Sequence, residues 1–296
     1  MKGTRRTGKW VLPVCFIVPA LLIVTCLTAY PLSFIVRMSV SDWTYGNPLS
    51  SARSIGLSNF RELFSGENGG LRHAMKLTIL FLVMAVPAEA ILGTLIALLL
   101  NRKCIKGASV MVGLMTIPMV MMPSMVGTVQ RLLFHPQGVL NYLLEVAFGV
   151  TVNWYSASNA MIAVVLADIW QWTPFFILTC YAGIQALPHE PLEAARVDGA
   201  NWWQSLKWVT LPLLAPVLLV SILIRSMECL RNFDMIFNFF GGGPGNATET
   251  LPVYIYRQNI YSRALGQGSA AGLVLVAVML VLCLGLVRVL KRMELE

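Results

Sequence analysis

Six long apolar runs, separated by shorter polar segments, constrain this chain more than any other feature of its sequence. Each run reaches the roughly 20 residues that a helix needs to cross a bilayer. Lipid cannot satisfy open backbone groups, so segments of this kind are helical. We therefore predict an all-α, polytopic membrane protein that forms a single transmembrane domain over 1–296. Its six transmembrane helices are predicted at about 10–36, 75–100, 108–134, 160–187, 211–240 and 270–290.

The composition excludes most other classes of protein. Hydrophobic residues make up 57% of the chain and charged residues 12%, whereas a soluble domain carries about 25% charged residues. Such a chain cannot cover a water-facing surface, which excludes a soluble globular enzyme. Its six cysteines are scattered without a C-x-x-C pair, and its three histidines lie far apart in sequence. We therefore expect neither a disulfide framework nor a metal site.

The basic residues predict an orientation in the membrane. Short cytoplasmic segments of membrane proteins are enriched in Lys and Arg. With the N-terminus inside, the inner segments hold 12 of the 22 basic residues, so we predict both termini in the cytoplasm. The first run is too long for a signal-peptide core and is predicted to be an uncleaved span. Because the bases lie between apolar runs, the net charge of +8 indicates a lipid partner and no nucleic acid.

The polar segment after the fourth run, about 188–210, has the pattern of two short helices around a turn. Good helix formers precede Asp198 and Gly199, a pair that suits a turn because glycine adopts positive φ freely. The second predicted helix, about 200–208, contains three tryptophans. Large aromatic side chains in a loop fit either a protein interface or the level of the lipid headgroups. The composition of the segment leaves both interpretations open.

The same segment reads Glu-Ala-Ala at 193–195, then Gly199, Val209 and Leu-Pro at 211–212. This spaced set resembles the cytoplasmic-loop signature of permease subunits of ABC importers. That signature is Glu-Ala-Ala, three residues, Gly, nine residues, a branched aliphatic residue, any residue and Leu-Pro. Every spacing fits, and Val209 replaces the usual Ile. The Asp-Gly-Ala form around the glycine is typical of the carbohydrate-uptake branch. The resemblance assigns ATPase coupling to Glu193, Ala194, Ala195, Asp198, Gly199, Ala200, Leu211 and Pro212.

The resemblance extends over most of the chain. Segments 10–31, 39–43 and 56–60 are similar to the opening of the maltose-type and glycerol-phosphate-type first permease. Segment 232–237 is similar to the end of the family's penultimate core span. One departure is Gln130, which stands where the family frequently has Trp near the end of the third span.

Membership of this family implies a specific division of labour. The chain would be the transmembrane permease subunit of an ATP-driven, binding-protein-dependent importer for a carbohydrate or sugar derivative, in a bacterial inner membrane. A second, homologous permease would form the other half of the path as a heterodimer partner. The 188–212 loop would couple to a dimer of cytoplasmic ATPase subunits. An extracytoplasmic solute-binding protein would deliver the solute.

The chain shows no plausible ATP site of its own. Residues 3–9 fit the first seven positions of a P-loop, but Trp10 stands where a Ser or Thr would bind Mg²⁺, and no strand precedes the segment. We therefore expect no enzyme activity and no cofactor in this chain. ATP and Mg²⁺ are expected on the partner ATPase subunits.

Polar side chains in the fourth run are candidates for solute contact, because ionisable residues within spans are costly. Asp168, Gln171 and Trp172 have i, i+3, i+4 spacing, which places them on one helix face. Polar groups beside indole rings suit sugar recognition. The alternative is a hydrogen bond that joins two packed helices.

A second set of charged residues recurs every three positions in the fifth run, from Arg225 to Asp234. Neighbours at this spacing can pair along one helix. The set fits either the lining of a water-filled path or a self-neutralising ladder. Together the two runs predict a solute path that comprises Asp168, Trp170, Gln171, Trp172, Glu228, Arg231, Asn232 and Asp234.

One function of another class remains open on the sequence. A stand-alone secondary transporter driven by a proton or sodium gradient would use Glu89 or Asp168 as its ion site. A membrane-embedded enzyme is disfavoured, because the sequence offers no nucleophile, metal or paired-carboxylate arrangement.

Overall fold

The computed structural model describes residues 8–65, 70–102 and 105–293, and all regular elements among them are helices. Five residues of the P-loop-like segment, 3–7, lie outside this part of the chain. Besides a 3₁₀ turn at Leu49–Ser51 and a π-helical turn at Leu206–Thr210 there are fourteen α-helices in the described residues. They are α1 Gly8–Ser39, α2 Ser58–Ser65, α3 Gly70–Leu100, α4 Ala108–Met115, α5 Ile117–Val120, α6 Pro123–Leu133, α7 Val139–Phe148, α8 Ala160–Gln185, α9 His189–Val197, α10 Trp202–Ser205, α11 Leu211–Arg231, α12 Asp234–Phe240, α13 Leu251–Ile260 and α14 Leu265–Met293.

The number of helices able to cross a membrane confirms the all-α, multi-pass architecture. Among the described residues, five helices are long and apolar enough, and a sixth is obtained if one bent pair forms a single span. The five are Phe16–Ser39, Gly70–Leu100, Ala160–Gln185, Trp202–Arg231 and Leu265–Arg292.

The third apolar run is a bent pair of helical segments where the sequence predicts one span over 108–134. Ala108–Val120 and Pro123–Leu133 meet at an angle of 90°. Met121 and Met122 between them are extended, with ψ of 142° and 132°. Pro123 explains the break, because a proline disfavours helical backbone in the residue before it.

The fifth run also differs from the continuous span predicted over 211–240. Helix α11 ends at Arg231, Asn232 is extended with ψ of 99°, and α12 begins at Asp234. An acidic residue in the first turn favours the start of a new helix. At the other end, α10 and the π-helical turn continue into α11, so the helix runs from Trp202 to Arg231.

Contacts between residues divide the chain into two compact units. One combines the described part of Met1–Glu67 with Ile255–Val274, and the other combines the described parts of Asn68–Tyr254 and Leu275–Glu296. In the first unit, the buried side chain of Asn59 donates hydrogen bonds to the carbonyl oxygens of Ser39 and Ser41, both at 2.8 Å. These bonds tie α2 to the end of α1. The single domain over 1–296 stays a prediction.

The second unit is built on close packing of α3, α8 and α11. The contact between α3 and α8 is its most extensive helix pair, and α11 packs against both. Glycines permit the approach: a Cβ at Gly93 of α3 would overlap Phe176 of α8. At Gly183 of α8 a Cβ would lie 2.8 Å from Leu214 of α11. Small residues of this kind let membrane helices come together.

Candidate functional site: a buried charge cluster, an open pocket and a helical loop

A three-residue charge cluster joins the three central helices of the second unit. Glu89 of α3, Asp168 of α8 and Arg225 of α11 are each at most 1% exposed. The Nε and Nη2 groups of Arg225 donate to the two carboxylate oxygens of Glu89, at 2.8 and 3.1 Å. Nη2 also donates to Asp168. We call Glu89, Asp168 and Arg225 the charge cluster.

Two further side chains complete the surroundings of the charge cluster. The Nδ2 group of Asn232 donates to Asp168 at 3.0 Å. The Arg225 guanidinium lies over the ring of Trp172, with 4.7 Å between its central carbon and the ring centroid. Asn232 is the extended residue between α11 and α12, so the break in the fifth run places an amide beside the buried carboxylate.

The charge cluster has a clear physical consequence for the helices that carry it. Separating a buried ion pair leaves unpaired charges in a medium that cannot solvate them, which is strongly destabilising. The bidentate geometry between Arg225 and Glu89 adds directionality. The cluster therefore fixes the relative rotation of α3, α8 and α11.

An open pocket of about 100 Å³ borders the charge cluster. At this pocket Arg231 pairs with Glu228, and both side chains are substantially exposed, at 58% and 40%. Aromatic, amide and charged groups line it together, which suits a polar solute with apolar faces. The lining residues are Pro123, Trp172, Arg225, Glu228, Arg231, Asn232, Phe233 and Asp234.

The structure brings together five of the eight residues predicted for the solute path. They line the open pocket and are Trp172, Glu228, Arg231, Asn232 and Asp234. Asp168 lies behind the pocket wall, completely buried and bound by Arg225 and Asn232. This arrangement matches the helix-packing alternative for Asp168.

Gln171 and Trp170 lie apart from the lining of the pocket. The Gln171 side chain is buried and donates to the carbonyl oxygen of Met121 at 3.3 Å. Its Oε1 atom has no hydrogen-bond partner among the described residues. Trp170 is 46% exposed and does not line the pocket.

The charged residues of α11 do not form a continuous ladder. Glu228 pairs with Arg231 as the spacing predicts, but Arg225 binds Glu89 and Asp168 on the neighbouring helices. This pairing was not predicted from the sequence. The available signal was the presence of two acidic residues and one basic residue in three different apolar runs, because charges within spans pair with one another.

The loop after α8 forms two helices that meet at a tight turn. Helix α9 ends at Val197, and Gly199, two residues further on, has φ of 74°, a backbone region that favours glycine. The Gly199 amide donates to the Arg196 carbonyl at 3.1 Å, and the Ala200 amide donates to the Ala195 carbonyl at 2.9 Å. This pair of bonds is the Schellman arrangement that closes a helix C-terminus.

The second half of the loop begins with a capping box. The Asn201 side chain accepts from the Gln204 amide at 2.9 Å, and the Gln204 side chain accepts from the Asn201 amide at 2.8 Å. Three tryptophans follow with much of their surface exposed: Trp202 at 48%, Trp203 at 69% and Trp208 at 69%. Such a surface is large and apolar for a loop.

The residues of the Glu-Ala-Ala signature divide between the inside and the outside of the loop. Ala195 is buried, in a helix that packs against the π-helical turn. Ala200 and Leu211 are half-buried. The remaining members are exposed and available for contact, namely Glu193, Ala194, Asp198, Gly199 and Pro212.

Long apolar helices, a charge cluster buried between three of them and a polar pocket beside it define a membrane transport component. The chain belongs to the family of binding-protein-dependent transport system inner membrane components, whose sequence model matches residues 75–294. It is therefore the permease component of such a system, a multi-pass protein of the inner membrane.

Individual relatives and solved structures agree with this family. The probable ABC transporter permease protein y4oQ of Sinorhizobium fredii is 36% identical over 258 residues, 87% of this chain and 82% of the relative. The trehalose/maltose transport system permease protein MalF of Thermococcus litoralis is 35% identical over 219 residues, 73% of this chain and 72% of the relative. A bacterial alginate ABC transporter, solved in complex with an alginate pentasaccharide-bound periplasmic protein, has a chain with a TM-score of 0.79. That match covers 95% of this chain and 96% of the other at 22% identity, so it shows the fold alone.

Proposed function

We propose that this chain is the permease subunit of an ATP-driven importer for a carbohydrate or sugar derivative. The observation that carries the proposal is the loop of residues 188–212. Its signature residues lie in a helix–turn–helix unit whose outer surface is exposed. A relative that is 35% identical is named as a trehalose/maltose permease, which supports a carbohydrate as the solute.

ATP hydrolysis belongs to partner subunits in this proposal. Transport against a gradient needs an energy source, and the sequence offers no complete nucleotide-binding motif. A dimer of cytoplasmic ATPase subunits would bind ATP and Mg²⁺. Closure of that dimer shifts the permease between states only if it contacts the two states differently.

The loop is the proposed contact with the ATPase dimer. Glu193, Asp198 and the exposed tryptophans present charged and aromatic groups of the kind that anchor protein interfaces. The continuous helix from Trp202 to Arg231 joins the loop directly to the pocket lining. Movement of the loop would therefore reach the pocket through a single helix.

The proposal includes two further partners and an orientation. A second, homologous permease would provide the other wall of the path, and an extracytoplasmic solute-binding protein would deliver the solute. Among the described residues, no side chain in the apolar windows of α1 and α14 is fully buried, which suits contact with lipid or with the second permease. Both termini and the 188–212 loop would face the cytoplasm.

Uptake into proteoliposomes tests this function against a stand-alone secondary transporter. The complete complex is expected to take up solute only with ATP and the binding protein, and orthovanadate should block uptake. The chain alone under an imposed pH or sodium gradient should show none. Gradient-driven uptake by the chain alone would overturn the proposal.

A further inference from the structure

The pocket beside the charge cluster contains donors that the cluster does not use. An arginine carries five N–H donors in a fixed fork. In Arg225, Nε and Nη2 donate to Glu89 and Asp168. No described residue accepts a hydrogen bond from Nη1, although the side chain is 1% exposed and lines the pocket. A buried, immobilised side chain thus presents two donors to the pocket.

The charge of this guanidinium is already balanced. Both Glu89 and Asp168 contact it directly, so the charge cluster has no excess positive charge. Nearer the opening, Glu228 pairs with Arg231, and Asp234 adds another carboxylate to the lining. Together these side chains comprise four carboxyl groups and two guanidinium groups, so the pocket has no excess of positive charge whether the buried carboxyls are ionised or neutral. The pocket therefore donates hydrogen bonds without attracting an anion.

The remaining groups of the pocket suit a polyhydroxylated solute. Trp172 and Phe233 supply ring surface against which the C–H face of a sugar can pack. Asn232 donates to Asp168 through Nδ2, which fixes the amide and leaves its oxygen as an acceptor at the wall. Donors, an acceptor and an apolar surface are thus held in place by contacts outside the pocket.

We propose that Arg225 is a specificity-determining residue, whose Nη1 donors bind hydroxyl groups of a sugar that carries no anionic group. Both guanidinium groups are paired with carboxylates, so the pocket lacks the excess positive charge that a solute with a carboxylate, phosphate or sulfonate needs. This inference rests on the proposed import function and narrows its substrate class. The immobilised guanidinium acts as a hydrogen-bond donor, and its charge is used to hold α3, α8 and α11.

The first test identifies the charge of the natural solute. The solute that co-purifies with the binding protein of the assembled importer is released by denaturation and analysed by mass spectrometry and electrophoresis at pH 7. A sugar without an anionic group is the expected result. If the recovered solute is anionic and the complex takes it up with ATP, this inference is overturned and the import function stands. Absence of any ATP-driven uptake would instead overturn the import function.

The second test removes the fork of donors and keeps the positive charge. Arg225→Lys is compared with Arg131→Lys, a matched change at an exposed residue away from the pocket. Uptake of the recovered solute by assembled Arg225→Lys complexes should fall at least about tenfold, because a buried hydrogen-bonding site loses its geometry. Uptake by Arg131→Lys should stay within about twofold. An assembled Arg225→Lys complex with unchanged uptake would overturn the inference. If the variant complex does not assemble, the charge of the recovered solute still tests the inference.

Discussion

At the scale of single residues, the environment of each charge decides how much it contributes to the stability of the fold. Arg225 and Arg231 lie six positions apart on one helix, yet one is buried between two carboxylates and the other is 58% exposed beside a single glutamate. Removing one partner of a buried pair is strongly destabilising, because the remaining charge cannot be solvated. An exposed pair contributes little, because water screens it.

Replacing Arg225 should therefore destabilise the protein far more than replacing Arg231. We expect Arg225→Ala to cost on the order of 3–5 kcal/mol, since it leaves Glu89 and Asp168 unpaired. The matched change Arg231→Ala should cost less than about 1 kcal/mol. Denaturant unfolding of the purified chain in detergent measures both. Equal losses of stability in the two variants would contradict the buried cluster.

Glycine positions give a second test at this scale. Gly93→Val should prevent α3 from reaching α8, because the added Cβ overlaps Phe176. Gly113→Val is the matched control, since a Cβ there meets nothing within 4 Å. We expect aggregated protein from Gly93→Val and a monodisperse peak from Gly113→Val in size-exclusion chromatography. A monodisperse, stable Gly93→Val protein would show that the helices do not approach as described.

At the scale of elements, the loop of residues 188–212 is held by a few hydrogen bonds at its turn. The Schellman bonds need a left-handed residue at Gly199, and the capping box starts the next helix three residues later. Backbone hydrogen bonds and the side chains of Asn201 and Gln204 hold the turn. The exposed side chains of Glu193, Asp198 and Trp203 take no part in these bonds, and the proposed coupling depends on them.

Substitution of Gly199 should uncouple ATP hydrolysis from uptake. Gly199→Leu places a bulky side chain on the proposed contact surface and strains a backbone with φ of 74°. Gly149→Leu is the matched control, because Gly149 also ends a helix, has φ of 68° and has open space around it. In proteoliposomes, ATPase activity should persist in the Gly199→Leu complex while uptake falls at least about tenfold. The Gly149→Leu complex should keep both, and normal uptake by Gly199→Leu would refute the coupling role.

Much of the fold and of the loop could be predicted from the sequence, because their signals are local. Run length indicates the spans, and the order of helix formers, Asp198 and Gly199 indicates the helix–turn–helix unit. The pairing of Arg225 with Glu89 could not be predicted, since it depends on how three helices rotate about their axes. The break at Asn232 was not predicted, because apolar residues resume at 235–240 and extend the run beyond it.

At the scale of the whole molecule, this chain is one subunit of a larger transport system. Its family is that of the inner membrane components of binding-protein-dependent transport systems. The described helices expose apolar surface and the loop exposes three tryptophans, which suits the proposed contacts with lipid, a second permease and the ATPase. The charge cluster would keep α3, α8 and α11 together while the loop moves, so that displacement of the loop reaches the pocket.

Site-specific photo-crosslinking from the loop tests the central claim most directly. Benzoylphenylalanine is placed at Val197, which is 87% exposed at the end of α9, or at Val139, which is 55% exposed at the start of α7. Irradiation of cells that express the complete importer should join Val197 variants to the ATPase subunit and leave Val139 variants free of it. Crosslinking of position 197 to the binding protein, or to no protein at all, would contradict an ATPase-coupled loop.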